Sequence, residues 1–206
     1  KNSLTLTDHG RQVEMLTEAQ KSCMKGKELT AKFITFSEGG VPVKKKMHIN
    51  GLVKESTEIA MSGFDIECKF ELDDNLWVAE VDENQFRQAI HNIVVNGCES
   101  MDQGGVLTVH TENYIVREHN GISLEPGRYI CIDIKDQGKG IPQEDLPKIF
   151  DPYFTTKHMS TQKGTGFGLS ICHSIIKKHQ GEITVESKEW VGTSFHIYIP
   201  AASMDV

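Results

Sequence analysis

The alternation of helical segments with short strand-like runs constrains the fold of this chain more than any other feature of its sequence. Ile130, Ile132 and Ile134 occupy every second position, which is the pattern of a strand with one buried face, whereas residues 82–98 carry apolar side chains at helical spacing. The predicted order is helix, hairpin, helix, two strands, helix and hairpin, with Asn50 and Asp82 as the N-caps of the first two helices. The two hairpins are expected to pair residues 66–72 with 77–81 and residues 182–187 with 193–200. Strands that arrive as hairpins beside helices predict an α+β fold, an α/β sandwich whose mixed sheet is covered by helices on one face.

A long N-terminal helix is predicted to precede this sandwich. Residues 8–36 contain no proline, and their small and apolar residues recur at helical spacing. Residues 37–46, which include Gly39, Gly40 and Pro42, read as a linker. We therefore expect two parts, residues 1–40 and 41–206. An ordinary surface helix of one single domain is the alternative for residues 8–36.

Charge and cysteine content restrict the class of protein. The 206 residues carry a formal net charge of −7, so the chain lacks the basic footprint of a nucleic-acid-binding protein. The five cysteines show no metal-ligand spacing and predict reduced core thiols, which favours a cytoplasmic location. No apolar run approaches the roughly 20 residues of a membrane helix, and we expect no membrane contact. The chain begins with Lys rather than Met, which predicts a fragment of a longer parent that can itself be membrane-anchored.

Three glycine-containing clusters follow one another in the second half of the chain. They are D-Q-G-K-G at residues 136–140, F-D-P-Y-F-T-T-K at residues 150–157 and G-T-G-F-G-L-S at residues 164–170. The last cluster opens a predicted helix, where free backbone N–H groups can hold a phosphate. Glycine turns at helix starts are common, so this pattern alone is weak. It matches neither the P-loop nor the dinucleotide-binding spacing.

Asp136 and two asparagines are the polar residues best placed for ligand chemistry. Asp136 ends an alternating strand, where its carboxylate can accept a hydrogen bond from the amino group of adenine; satisfying its own turn is the alternative. Asn92 and Asn96 are four residues apart and share one face of a helix. They can join two helices, or an amide oxygen can help to hold Mg²⁺.

In combination these motifs resemble a known family. The order N-x-x-x-N, D-x-G-x-G, F-D-P-Y-F-T-T-K and G-T-G-F-G-L-S resembles the N, G1, F and G2 boxes of the ATP-binding domain of sensor histidine kinases. The superfamily also contains gyrase, the mismatch-repair ATPases and the heat-shock chaperone ATPases. The resemblance covers about residues 48–200, and residues 150–157 look most similar to the nitrogen-regulator branch.

The resemblance implies ATP and Mg²⁺ as cofactors and assigns roles to individual residues. It implies that Asn96 holds Mg²⁺ with help from Asn92, that Asp136 binds the adenine amino group and that Thr193 supports this aspartate through water. Lys157 would reach toward phosphate. The other positions implied to contact or shape the nucleotide pocket are Gly138, Gly140, Ile141, Tyr153, Gly164, Thr165, Gly166, Gly168 and Leu169.

The same motif bears on the choice between kinase and ATPase. Hydrolysing members of the superfamily carry a carboxylate four residues before the metal-binding Asn, and this chain has Asn92 there. An amide cannot take a proton at neutral pH, so phosphoryl transfer is favoured over hydrolysis. ATP hydrolysis is left as an alternative because Glu99, on the same helix face, carries a carboxylate. A nucleotide-sensing scaffold without transfer activity is a further alternative.

The phosphoacceptor is expected to lie outside the chain. None of its nine histidines is followed by Asp or Glu, as the acceptor histidines of the family are. Residues 8–40 resemble the second helix of the dimerisation and phosphotransfer hairpin, so the first helix and its histidine would be missing. We therefore predict a protein-histidine kinase domain that cannot autophosphorylate alone. The implied partners are the missing phosphoacceptor helix and a response regulator receiver domain. A second copy of the full-length parent, in a homodimer, is a further possible partner.

Overall fold

The computed structural model describes residues 13, 15–20, 26, 41–117, 123–156 and 166–203. The chain divides by its internal contacts into Lys1–Gly40 and Val41–Val206. In the first part, residues 13, 15–20 and 26 are helical, and the remainder of the helix expected over residues 8–36 lies outside the described residues. The assignment of residues 1–40 to a phosphotransfer hairpin stays a prediction.

A mixed five-stranded sheet forms the body of the second part. Its strands are β2 (Glu67–Leu72), β4 (Val106–Val116), β5 (Gly127–Lys135), β6 (Glu182–Lys188) and β7 (Gly192–Pro200), with β1 (Lys45–Met47) and β3 (Ala79–Val81) forming a separate pair. The spatial order is β2-β4-β5-β7-β6. Only the β2–β4 pair of this sheet is parallel; the other neighbours are antiparallel. The prediction of a mixed sheet is confirmed.

Three helices pack on this sheet and bury its apolar face. They are α1 (Asn50–Met61), α2 (Glu83–Cys98) and α3 (Gly168–Lys178), and α2 contacts both of the others. The alternating isoleucines of β5 and Phe195 of β7 are buried, as are Phe86 and Ile90 of α2. The opposite face carries a smaller buried cluster that includes Tyr129, Cys131 and Tyr198, and beside it Asp133 Oδ1 lies 2.6 Å from His196 Nδ1. The helix-covered face takes the isoleucines at every second position of β5, which is the period-two pattern seen in the sequence.

The predicted hairpin of residues 66–72 with 77–81 is wrong. Strand β2 instead pairs in parallel with β4, from Glu67 opposite Val106 to Leu72 opposite Thr111, and β3 pairs with β1. The physical reason is a side chain distant in sequence: Asn113 accepts a hydrogen bond from the Trp77 amide at 2.8 Å and donates to the Asn75 carbonyl at 2.9 Å. These contacts hold the chain after the turn against β4, so it does not fold back on β2.

The helix starts were predicted with mixed success. Asp82 caps α2 as expected, since its carboxylate accepts a hydrogen bond from the Gln85 amide at 3.1 Å. Asn50, expected to cap α1, is instead the first helical residue. Its side chain donates to the Asp73 carbonyl and accepts from the Thr111 hydroxyl, so it anchors α1 to the sheet. Strand β1 also begins at Lys45, inside the expected linker.

Cys68, Cys98, Cys131 and Cys172 are free thiols, and burial raises the pKa of Cys98 to about 11. Within the described part of the chain, none of the helices has both the length and the apolar character needed to cross a bilayer.

A buried histidine joins the ends of two helices. His179 follows α3 and is 1% exposed; its Nδ1 lies 2.8 Å from the Ile175 carbonyl, and its Nε2 accepts from the Asp82 amide at 2.9 Å. A carbonyl only accepts and an amide only donates, so the ring is neutral with its proton on Nδ1. Burial, reinforced by the charge of Lys44, holds the pKa of His179 below its usual value. Protonation would break the contact with Asp82.

We predict that His179 makes the fold less stable in mild acid. Below about pH 6.5 the unfolded chain binds a proton that buried His179 resists, so the free energy of unfolding falls as the pH drops through this range. His179→Leu should cost about 1–3 kcal/mol at pH 7.5, since it leaves the Asp82 amide unpaired, and should make the acid loss smaller.

Urea unfolding at pH 7.5 and pH 5.5 measures both effects. Exposed His91 on α2 provides the control, because His91→Gln should leave the difference between the two pH values unchanged. An equal acid loss in the wild type and His179→Leu would show that this histidine does not cause it.

Candidate functional site

Asp136 is the centre of the site. It directly follows β5, and its backbone amide still pairs with the Thr193 carbonyl of β7 at 2.9 Å. The carboxylate is buried, with the residue 3% exposed. Its Oδ1 accepts hydrogen bonds from the Gly138 amide at 2.8 Å, the Thr193 amide at 3.2 Å and the Ser100 hydroxyl at 3.2 Å. Three donors on one oxygen fix the orientation of the carboxylate.

The second oxygen of Asp136 is differently placed. Among the described residues, no hydrogen bond reaches Oδ2. Helix α2 runs close behind the carboxylate, because a Cβ at Gly97 would lie 3.6 Å from Oδ2. Burial raises the pKa of Asp136, and the three hydrogen bonds from Gly138, Ser100 and Thr193 oppose this rise. The site therefore presents one acceptor oxygen for a donor group of a ligand.

The loop after Asp136 is held between α2 and the β6–β7 hairpin. The Lys139 amide donates to the Ser100 carbonyl at 3.2 Å, and the Trp190 amide donates to the Lys139 carbonyl at 2.7 Å. A Cβ on Gly138 would lie 1.9 Å from Ser100 Oγ. Gly140 has φ of +69°, and a Cβ there would lie 2.2 Å from the Lys188 carbonyl oxygen. Both glycines are required because two other segments approach the loop backbone closely.

Ser187 links the far side of this loop to β7. Its hydroxyl accepts from the Ile141 amide at 2.8 Å and lies 3.0 Å from the Thr193 hydroxyl. Thr193 reaches Asp136 through its backbone amide, while its side chain contacts Ser187. The expected water-mediated contact of the Thr193 side chain with Asp136 stays a prediction.

The two asparagines lie one turn apart on α2, as their spacing in the sequence predicts. Asn92 Nδ2 donates to the Gly168 carbonyl at 3.1 Å, which ties α2 to the first residue of α3. Asn96 is half-buried and lies one turn closer to Asp136 along the helix. Leu169 occupies the first turn of α3 and is half-buried. Helix α2 thus connects the Asp136 region to the start of α3.

Tyr153 and Gly166 are in direct contact. The Tyr153 amide donates to the Gly166 carbonyl at 3.0 Å, and the Tyr153 ring packs edge-on against Phe167 with ring centroids 4.6 Å apart. Tyr153 is 57% exposed. Lys157, Gly164 and Thr165 lie outside the described residues, so their predicted roles are not tested by the geometry.

Sequence reasoning missed two serines of the site. Ser100 continues the spacing of Asn92 and Asn96 by four more residues, so the helical period that identified the asparagines could have found it. Ser187 offers no such signal, because only the pairing of β6 with β7 brings it opposite Thr193.

A separate depression of about 370 Å³ lies at the end of α2. Its lining includes the acidic residues Asp65, Glu99 and Asp102, and it includes none of the residues that the motifs indicate. An acidic lining disfavours a triphosphate, so the site around Asp136 is the better candidate for nucleotide chemistry.

Comparison with known proteins defines the class. Residues 81–203, more than half of the chain, match the family described as histidine kinase-, DNA gyrase B- and HSP90-like ATPase. The chain belongs to this family, and its resemblance to the sensor histidine kinases is confirmed.

Two curated relatives are kinases. Sensor kinase CckA of Brucella abortus is 38% identical over 141 residues, which are 67% of this chain and 15% of that protein. Sporulation kinase C of Bacillus subtilis is 35% identical over 164 residues, which are 77% of this chain and 34% of that protein. The chain thus spans about a third or less of the length of these relatives.

Solved structures share the fold. The catalytic domain of histidine kinase ThkA, in a nucleotide-free form, has a TM-score of 0.61 at 29% identity and covers 77% of this chain and 95% of that one. Full-length ShkA in complex with AMPPNP has a TM-score of 0.71 at 18% identity, covering 95% of this chain and 40% of that one, which shows the fold alone. The expected fold class is confirmed.

We predict that Gly138→Ala destabilises the protein. The added methyl group would overlap Ser100 Oγ, so the loop or Ser100 has to move and the bonds to Asp136 Oδ1 weaken. The expected cost is about 1–3 kcal/mol, measured by urea unfolding.

Gly51→Ala on α1 is the matched control. A Cβ there meets nothing within 4 Å, and alanine should add about 0.5–1 kcal/mol of stability through its helix propensity. A Gly138→Ala protein as stable as the wild type would contradict the close packing of this loop.

Proposed function

We propose that the chain is the ATP-binding catalytic domain of a sensor histidine kinase. In this proposal it transfers the γ-phosphoryl group of Mg-ATP to a histidine that is not among its own nine, for relay to a response regulator. The observation that carries the proposal is the carboxylate of Asp136, with Oδ1 occupied by three donors and Oδ2 left as an acceptor. An adenine amino group is a donor that fits this oxygen.

The residues on α2 and α3 are suited to the phosphate end of the ligand. Mg²⁺ prefers a few protein oxygens and completes its shell with phosphates and water, so the amide oxygen of Asn96 is a sufficient ligand. Bound Mg²⁺ supplies charge neutralisation on the phosphates. Gly168 begins α3, whose N-terminal amides favour anions. Asn92 holds α2 to this helix start through the Gly168 carbonyl and keeps the two elements together.

Transfer is favoured over hydrolysis by the chemistry of position 92. An amide cannot serve as a general base, and the Nδ2 of Asn92 is already used in the bond to Gly168. Glu99 is the C-cap of α2 and lines the separate acidic depression, which places it poorly for activating a water beside the phosphates. The ATPase alternative is therefore the weaker one.

We predict that Asp136→Asn changes which purine is preferred. The three donors around Oδ1 should retain the oxygen of the amide, so its NH₂ group takes the place of Oδ2 and becomes a donor. A donor repels the 6-amino group of ATP and suits the 6-oxo group of ITP. The ratio of ATP to ITP affinity should fall at least about tenfold, the equivalent of roughly 1.4 kcal/mol.

Calorimetric titration with both nucleotides in Mg²⁺ provides the measurement. Asp133→Asn is the control, since Asp133 belongs to β5, the strand that Asp136 follows, but bonds His196 on the other face of the sheet. An unchanged ratio in Asp136→Asn would remove the adenine assignment.

We also predict the fate of labelled phosphate. The chain incubated alone with γ-labelled ATP should acquire no acid-labile label. A helical hairpin that carries a His-Asp or His-Glu pair, supplied in trans, should acquire it when it is a cognate acceptor. Label on the chain itself would contradict an external acceptor, and rapid release of free phosphate without any acceptor would favour the ATPase.

A further inference from the structure

We propose that Ser100 is a positioning residue of the nucleotide site: its hydroxyl donates to Oδ1 of Asp136 and thereby keeps Oδ2 turned toward the purine amino group. This inference rests on the proposed function, because it concerns the same ligand. It adds a residue that the motifs of the chain do not include.

Ser100 is the one side chain among the three donors to Asp136. The other two are the backbone amides of Gly138 and Thr193, which belong to the loop and to β7. Ser100 directly follows Glu99, the C-cap of α2, and so lies just beyond the end of the helix that carries Asn96. The hydroxyl therefore couples the helix proposed to hold the metal end of the ligand to the carboxylate proposed to hold its base.

The hydroxyl has one proton and two acceptors within reach. Ser100 Oγ lies 2.7 Å from the Gly97 carbonyl oxygen and 3.2 Å from Asp136 Oδ1. The Gly97 carbonyl already accepts the Ser100 amide at 3.0 Å, so it keeps a partner without the hydroxyl. A carboxylate is the stronger acceptor. The absent side chain of Gly138 leaves the space that Ser100 Oγ occupies, since a Cβ there would be 1.9 Å away.

The hydrogen bond from the Ser100 hydroxyl also affects the pH at which the Asp136 carboxylate is protonated. Burial raises the pKa of Asp136, and each of its three hydrogen bonds favours the ionised form. Among the described residues, Cys98 of α2 is a titratable group that interacts with the Asp136 carboxylate, and its thiol stays neutral because burial raises its pKa to about 11. Removing the Ser100 hydroxyl should therefore let the carboxyl protonate at a higher pH. A proton on Oδ2 turns this acceptor into a donor and opposes the purine amino group.

The experiment compares ATP with purine riboside triphosphate, which lacks the 6-amino group, in Mg²⁺ from pH 5 to pH 8. The ratio of the two affinities isolates the contribution of the amino group, since both ligands share the same triphosphate. Ser100→Ala should lower this ratio about fivefold at pH 7.5, the loss of roughly one hydrogen bond. The pH at which the ratio declines should move upward. Ser100→Gly removes the same hydroxyl and should give the same result.

Ser56→Ala is the matched control. Ser56 is a buried helical serine of α1 whose hydroxyl donates to the Leu52 carbonyl at 2.6 Å, and it is not among the three donors to Asp136. It should change neither the ratio nor its pH dependence.

Three outcomes would overturn the inference. An equal loss for both ligands in Ser100→Ala would indicate a merely structural role. An unchanged pH dependence would show that the hydroxyl donates to Gly97 instead. A wild-type chain that binds both ligands equally would refute the adenine assignment and the inference with it. The first two outcomes, in contrast, would refute only the role proposed for Ser100.

Discussion

The buried carboxylate of Asp136 is the interaction on which the rest of the site depends. A carboxylate that is 3% exposed is costly to keep ionised, and three hydrogen bonds to a single oxygen offset part of this cost. The donors come from α2, from the loop after β5 and from β7. The carboxylate therefore fixes three elements relative to one another, and the same bonds leave its second oxygen for a ligand.

The architecture of the sheet explains why this carboxylate can be held so closely. Asp136 continues the pairing of β5 with β7 by one residue beyond the strand, so its position follows from the ladder that includes Lys135 opposite Ser194. Glycines at 97 and 138 let α2 and the loop approach its side chain. Ser187 then connects the loop to the hydroxyl of Thr193. Small residues at these contacts bring backbone amides within reach of the carboxylate.

Local patterns predicted much of the fold, and they also singled out Asp136, around which the candidate site is built. The alternating isoleucines of β5, the cap at Asp82 and the final hairpin all depend on residues near one another in sequence, and they were predicted correctly. The pairing of β2 with β4 was not, because it depends on Asn113 holding the chain after Asn75, and no short-range signal encodes that contact. Ser187 was missed for the same reason. Roles that came from the resemblance alone, such as those of Lys157 and Thr165, stay predictions.

The proposed function depends on Oδ2 of Asp136 accepting a hydrogen bond from the amino group of adenine. The most direct test is a crystal structure of residues 41–206 with Mg²⁺ and AMPPNP, in which the distance from Asp136 Oδ2 to the purine N6 is measured. We expect a hydrogen bond of about 3 Å while Oδ1 keeps its contacts with Ser100, Gly138 and Thr193. A bound purine whose amino group contacts another residue, or a nucleotide seated away from Asp136, would contradict it.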